Sequence, residues 1–249
     1  MYSKPVRPVL VVIAHGSRDP RHAAAVHALV RRVRSLRPGL RVETGFLDFN
    51  IPSVHGVLES LAAEGVRDVV ALPLLLTRAF HAKADIPAVL RDAPPQLRIR
   101  QAEVLGPSPL LLSALERRLY EAGLTPADKS STGVVLASAG SSDPEAIAVI
   151  AEIAREWRHT GWCAVRPAFA SASLPRTEDA VRELRDLGCA RVAVAPYVLA
   201  PGFLPDRIAR GAAEADVLAE VLGPAPEVAR LLLERYDAAR TPALTAVGA

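Results

Sequence analysis

Two histidines in this chain stand where apolar, strand-like stretches run out into loops. His15 follows Val9 to Ala14 in VLVVIAHGSRDP, and His81 follows Val69 to Leu76 after the short segment Thr77, Arg78, Ala79, Phe80. An imidazole changes charge near neutral pH and ligates borderline transition metals. A pair of them at one sheet edge can therefore hold a divalent cation or take up a proton. Metals usually take a third ligand, and Asp48, at the end of the apolar segment between the two, is the candidate. It reads equally well as a turn aspartate ahead of Pro52.

The surrounding elements alternate strand with helix, the order of an α/β domain with a parallel sheet. Val9 to Ala14 is continuously apolar and largely β-branched, which predicts a buried strand. Asp19 suits an N-cap and Pro20 the first helical position, and Ala23, Val26, Leu29, Val30, Val33 and Leu36 follow at helical spacing. His15 thus falls on a strand-to-helix turn, at the sheet edge where ligands bind in open α/β folds. Leu40 to Leu47 reads as a second strand, followed by a helix from Ser53 that Gly65 closes. Val69 to Leu76 is the third strand, and a short helix from Asp85 stops before Pro94 and Pro95. Leu97 to Leu105 is a less apolar fourth strand, Pro107 to Tyr120 a helix, and Ala122 to Thr132 a polar linker. With strand order 2-1-3-4, His15 and His81 emerge from adjacent strands. His22, His27, His55 and His159 read as solvated helix residues.

The same order then recurs. SAGSSDP at Ser138 to Pro144 answers AHGSRDP at Ala14 to Pro20, offset by 124 residues. Pro175, Gly188 and Pro196 answer Pro52, Gly65 and Pro73 at 123, and VLGP recurs at an offset of 117. Several repeats in one order indicate a duplicated domain, divided as residues 1–124 and 125–249. His15 corresponds to Ala139 and His81 to Leu204, so the second copy keeps strands and Asp-Pro caps but lacks both loop histidines. The expected arrangement is a first domain carrying the site and a degenerate second one. The tail from Ala238 reads as frayed.

Taken together, VVIAHGSRDP, GFLDFNIPSV and ALPLLLTRAFHAKADIPAVL resemble the sirohydrochlorin chelatases of the cobalt-pathway type, within the class II tetrapyrrole chelatases. The resemblance spans both halves, because longer members of that family are fused copies. It implies two tandem three-layer α/β/α domains, each with a four-stranded parallel sheet, and a cleft between them. It also implies insertion of Co2+ or Fe2+ into sirohydrochlorin. The family's active-site histidines fall on His15 and His81, as metal ligands and proton acceptors, and its acidic residue, usually glutamate, falls on Asp48. The metal is then a substrate, and no permanently bound cofactor is implied. Sirohydrochlorin is a polycarboxylate, so Ser17, Arg18, Arg78 and Lys83 are the expected substrate-binding residues.

Bulk properties narrow the choice of function class. The 249 residues are 50% hydrophobic but only 4% aromatic, which suits aliphatic side chains and alanine packed on parallel sheets. The net charge of +3 is spread rather than clustered, and no basic tract with interleaved aromatics points to nucleic acid. No apolar run has membrane-spanning length, and MYSKPVRP lacks a signal-peptide core, so a cytoplasmic protein without a membrane partner is expected. Cys163 and Cys189 have no CxxC neighbour and read as small buried hydrophobes. A fused pair can replace a dimer, so a monomer is expected. Histidine phosphatases resemble an Arg-His-Gly motif, whereas Ala14 precedes His15 here. A non-catalytic carrier of metal or tetrapyrrole could use the same two histidines. A protoporphyrin ferrochelatase is a closer cousin than these, but the chain is short for one and shows no obvious apolar lip for a membrane-derived porphyrin.

Overall fold

All six residues of β1 (Val9–Ala14) are buried, and they alternate between two hydrophobic layers. Leu10, Val12 and Ala14 enter a large core shared by both halves of the chain, while Val9, Val11 and Ile13 enter a separate outer core. Fully burying an aliphatic side chain of this size contributes about 1.5–3 kcal/mol relative to exposure. A strand covered on both faces is therefore firmly fixed, as its unbroken apolar sequence predicts. The computed structural model describes residues 7–78 and 85–240.

In the first half β1 is flanked by β2 (Val42–Phe46) and β3 (Asp68–Pro73), with β4 (Arg98–Gln101) beyond β3, all parallel, in the order β2-β1-β3-β4. Ile13 aligns with Gly45 on one side and Pro73 on the other, so the ends of β1 and β3 lie side by side. The second sheet repeats the order with β5 (Thr132–Ser138), β6 (Ala164–Phe169), β7 (Arg191–Tyr197) and β8 (Val217–Leu218), as β6-β5-β7-β8. Helices cover both faces of each sheet. On the outer faces lie α2 (Val54–Ala63) and α3 (Ile86–Arg91) in the first half, and α6 (Thr177–Asp186) and α7 (Phe203–Gly211) in the second. Between the sheets lie α1 (Pro20–Leu36), α4 (Pro109–Glu121), α5 (Pro144–Arg158) and α8 (Pro226–Arg240). The tandem duplicated α/β architecture is thus the one the sequence predicts.

The last helix of each repeat crosses to the other repeat's sheet. Helix α4 packs on β7, and α8 packs on β3 and β4. Side chains at the end of α8 fasten this exchange. Tyr236 Oη donates to the Pro8 carbonyl at 2.7 Å, Arg235 Nε donates to the Val104 carbonyl at 2.9 Å, and Arg37 pairs through both terminal nitrogens with Asp237, each at 2.7 Å. Alternating polarity reveals that a helix has an apolar face but not which sheet that face meets.

Several boundaries differ from expectation. Strands β2, β3 and β4 are shorter than Leu40–Leu47, Val69–Leu76 and Leu97–Leu105, and Leu74–Leu76 leaves the sheet to line a cleft. Helix α4 begins at Pro109 behind its Ser108 cap. The expected linker contains a 3-10 helix, Pro126–Ser131, whose Asp128 carboxylate accepts from both the amide and the hydroxyl of Thr125 at 2.7 Å. Helix α8 continues through Arg240 rather than fraying at Ala238. Cys189 is buried but Cys163 is exposed, with their sulfurs 3.6 Å apart. Among the described residues, no helix is long and apolar enough to cross a membrane.

Candidate functional site

The turn after β1 is built around backbone contacts with the turn after β2. Leu47 N donates to the Ala14 carbonyl at 3.0 Å, and Asp48 N donates to the His15 carbonyl at 2.9 Å. Gly16 has φ +95°, and a Cβ there would meet the Asp48 carbonyl oxygen at 1.8 Å, so only glycine satisfies both the conformation and the contact. The Ser17 amide donates to Asn50 Oδ1 at 2.8 Å, and Ser17 Oγ accepts from the Asp19 amide at 3.1 Å. Asp19 then caps α1 by accepting from the Arg21 amide at 2.9 Å. His15 is therefore presented by a turn braced on three sides.

That turn opens into a cleft of about 510 Å³ between the two halves. One wall carries His15, Ser17, His22 and Thr77 beside the apolar Leu74–Leu76. The opposite wall comes from the equivalent segments of the second repeat, Ser138–Ser141 and Tyr197–Pro205, together with Ala146, Ile147 and Ile150 of α5. Apart from its serines and the Tyr197 hydroxyl, that wall is apolar. The second repeat, though it lacks both loop histidines, thus supplies half the cleft. Arg21 Nη2 spans from Asp19 (2.5 Å) to Asp206 on α7 (2.6 Å), tying the walls together near the solvent boundary.

The other expected site residues take different places. Asp48 is exposed and does not line the cleft; its Oδ1 accepts from the Phe49 amide at 2.8 Å. The Phe49 ring lies 6.4 Å from the His15 ring, and the Arg18 guanidinium sits 5.2 Å from the centre of the same Phe49 ring. His15 and Arg18 thus share Phe49 as a neighbour. Arg78 is exposed and paired with Glu103. His81 and Lys83 lie outside the described residues. Among the described residues, no group of three or more His, Cys, Asp or Glu side chains is arranged to hold a metal.

His22 departs from its expected solvated role. It lines the cleft, half-buried, and its Nδ1 is shielded from solvent with no hydrogen-bond partner. An unanswered buried nitrogen of this kind costs about 1–3 kcal/mol. Burial first, and then the proximity of His15, hold its pKa below the ordinary value of 6.5, outweighing the opposing attraction of Asp19. The ring is therefore neutral at neutral pH. The signal lay in the helical period: Val26, Leu29, Val30 and Val33 follow His22 by 4, 7, 8 and 11 residues, which puts the histidine on the buried stripe. Asn50 carries no such signal, because its role depends on a loop contact that sequence spacing does not reveal.

The repeated geometry has a counterpart among known proteins. The CbiX family model matches residues 9–122 and again residues 133–239. The chain belongs to the CbiX family. Its two CbiX repeats coincide with the two sheets and their helices. The chain is 31% identical over 206 residues to the sirohydrochlorin cobaltochelatase of Priestia megaterium, an alignment covering 80% of this chain and 66% of that protein. It is 27% identical over 203 residues to the sirohydrochlorin ferrochelatase of the same organism, covering 80% of this chain and 76% of that one. Among solved structures, SirB from Bacillus subtilis with Fe3+ superposes with a TM-score of 0.80 at 25% identity, covering 94% of this chain and 96% of SirB. The superposition on SirB extends over both CbiX repeats of this chain.

Proposed function

We propose that this chain is a sirohydrochlorin chelatase, exchanging a pair of pyrrole N–H protons for a divalent metal ion, cobalt or iron. The observation that carries this reading is the asymmetry of the cleft. Among the described residues both cleft imidazoles, His15 and His22, stand on the wall built by the first repeat, facing a wall of the second repeat that is apolar apart from Ser138, Ser141 and the Tyr197 hydroxyl. A flat macrocycle can rest one face on the apolar wall while a metal ion approaches its other face from the imidazoles. The names of the Priestia relatives support the same reaction.

In this reading His15 and His81 hold the incoming metal and replace part of its water shell, and an imidazole nitrogen accepts a pyrrole proton only as it gives up the metal to the macrocycle. Asp48 supplies an acidic donor from the turn after β2. Ser17, Arg18, Arg78 and Lys83 bind substrate carboxylates, Arg78 by exchanging Glu103 for the substrate. The metal is consumed as substrate, so no resident cofactor takes part. Because one chain builds both walls, we infer that it acts as a monomer.

The test is metal insertion followed by sirohydrochlorin absorbance, with Co2+ and Fe2+ supplied separately and protein far below the tetrapyrrole concentration. Multiple turnovers with either metal support the proposal. A change that stops at one equivalent per chain indicates a carrier and overturns it.

A further inference from the structure

We propose that His22 is a further metal-binding residue of the cleft, an imidazole donor that receives the divalent metal substrate together with His15. The inference rests on the chelatase reading above and adds a donor on α1 to its metal site.

Three observations converge on His22. Its position on the buried stripe of α1 directs the ring toward the cleft rather than toward bulk water. Its Nδ1 is buried, with no protein group hydrogen-bonded to it. Because the same ring lines the cleft, a rotation about its side-chain bonds turns this unanswered nitrogen out of the wall and into the cavity, where a ligand can meet it. Finally, the pseudo-equivalent position in the second repeat is Ala146, which also lines the cleft.

The Ala146 comparison separates packing from chemistry. Both repeats start this helix with Asp-Pro, and both cap it through the aspartate side chain. The fold therefore accepts alanine at this position, and the imidazole of His22 is not needed to fill it. Both described cleft histidines, His15 and His22, have alanine as their counterpart in the repeat that forms the apolar wall. Shared loss is expected of residues serving one ligand. An imidazole suits Co2+ and Fe2+ equally, in keeping with a site that accepts either.

The experiment titrates the full-length protein with Co2+ alone, without tetrapyrrole, following both heat and the visible ligand-field bands. Wild type, His22→Ala, His22→Gln and His15→Ala are compared. Both His22 variants should bind Co2+ about tenfold or more weakly, with altered bands. The metal-free thermal midpoint of His22→Ala should stay close to wild type. Unchanged affinity and spectrum in a folded His22 variant, alongside loss in His15→Ala, would overturn the inference and leave the His15 assignment standing. Unchanged binding in all three variants would overturn both.

Discussion

The carbonyl oxygen of Asp48 occupies the space into which a side chain on Gly16 would project, 1.8 Å from where its Cβ would lie. The second repeat keeps the same arrangement, with a Cβ on Gly140 meeting the Ser171 carbonyl oxygen at 2.0 Å. The contact belongs to the fold, and in the first repeat it also fixes the turn that presents His15.

Gly16→Ala should therefore cost about 3 kcal/mol or more, combining a backbone clash with an unfavourable φ. Gly39→Ala is the matched control, because Gly39 also has positive φ (+82°) but nothing lies within 4 Å of its added Cβ. That substitution should cost only about 1–2 kcal/mol. Urea denaturation of the two variants checks the difference, and equal losses would dissociate the Asp48 contact from the stability of the turn.

Asn50→Ala removes the acceptor for the Ser17 amide. The expected loss of stability is about 1 kcal/mol. Because the bond braces the turn that carries His15, kcat should fall more than KM rises in steady-state insertion assays. A change confined to KM would place Asn50 in substrate binding instead.

Strand order and the duplicated turn were legible because they rest on local signals: continuous apolar runs, Asp-Pro caps and a recurring glycine. Val9–Ala14 reads as a strand buried on both faces and is one. The exchange of α4 and α8 between sheets was not legible, since the partner of an apolar face is decided by three-dimensional packing. His22 was legible in principle. Its spacing from Val26, Leu29, Val30 and Val33 marks the buried stripe, but its polar type suggested the opposite face. The resemblance implied a cleft between the halves, but which side chains line it needed the structure, because its two walls come from separate parts of the chain, residues 14–77 and 138–205.

Leu204 belongs to the apolar wall. Leu204→Asp places a carboxylate against a polyanionic substrate and should raise KM for sirohydrochlorin about tenfold or more, equivalent to at least about 1.4 kcal/mol. Co2+ affinity measured without tetrapyrrole should not change. Equal effects on metal and tetrapyrrole would contradict the division of roles between the walls.

The Arg37–Asp237 pair ties α8 to α1. Hydrogen bonds from Arg37 hold the Asp237 carboxyl below its ordinary value of 3.8, against the opposing effect of burial. A depressed carboxyl stabilises the fold above its unfolded pKa and loses that contribution as pH falls through the folded one. Asp237→Asn should therefore destabilise the protein at neutral pH, with the difference from wild type shrinking below about pH 4. Denaturation across that range measures it, and a constant difference would rule out ionisation as its source.

The most direct test of the account compares wild type with His15→Ala in insertion of Co2+ and Fe2+ into sirohydrochlorin, with far-ultraviolet circular dichroism confirming that the variant is folded. The account predicts a loss of at least about a hundredfold in the rate for both metals. A folded His15→Ala protein that inserts metal at close to the wild-type rate would contradict it.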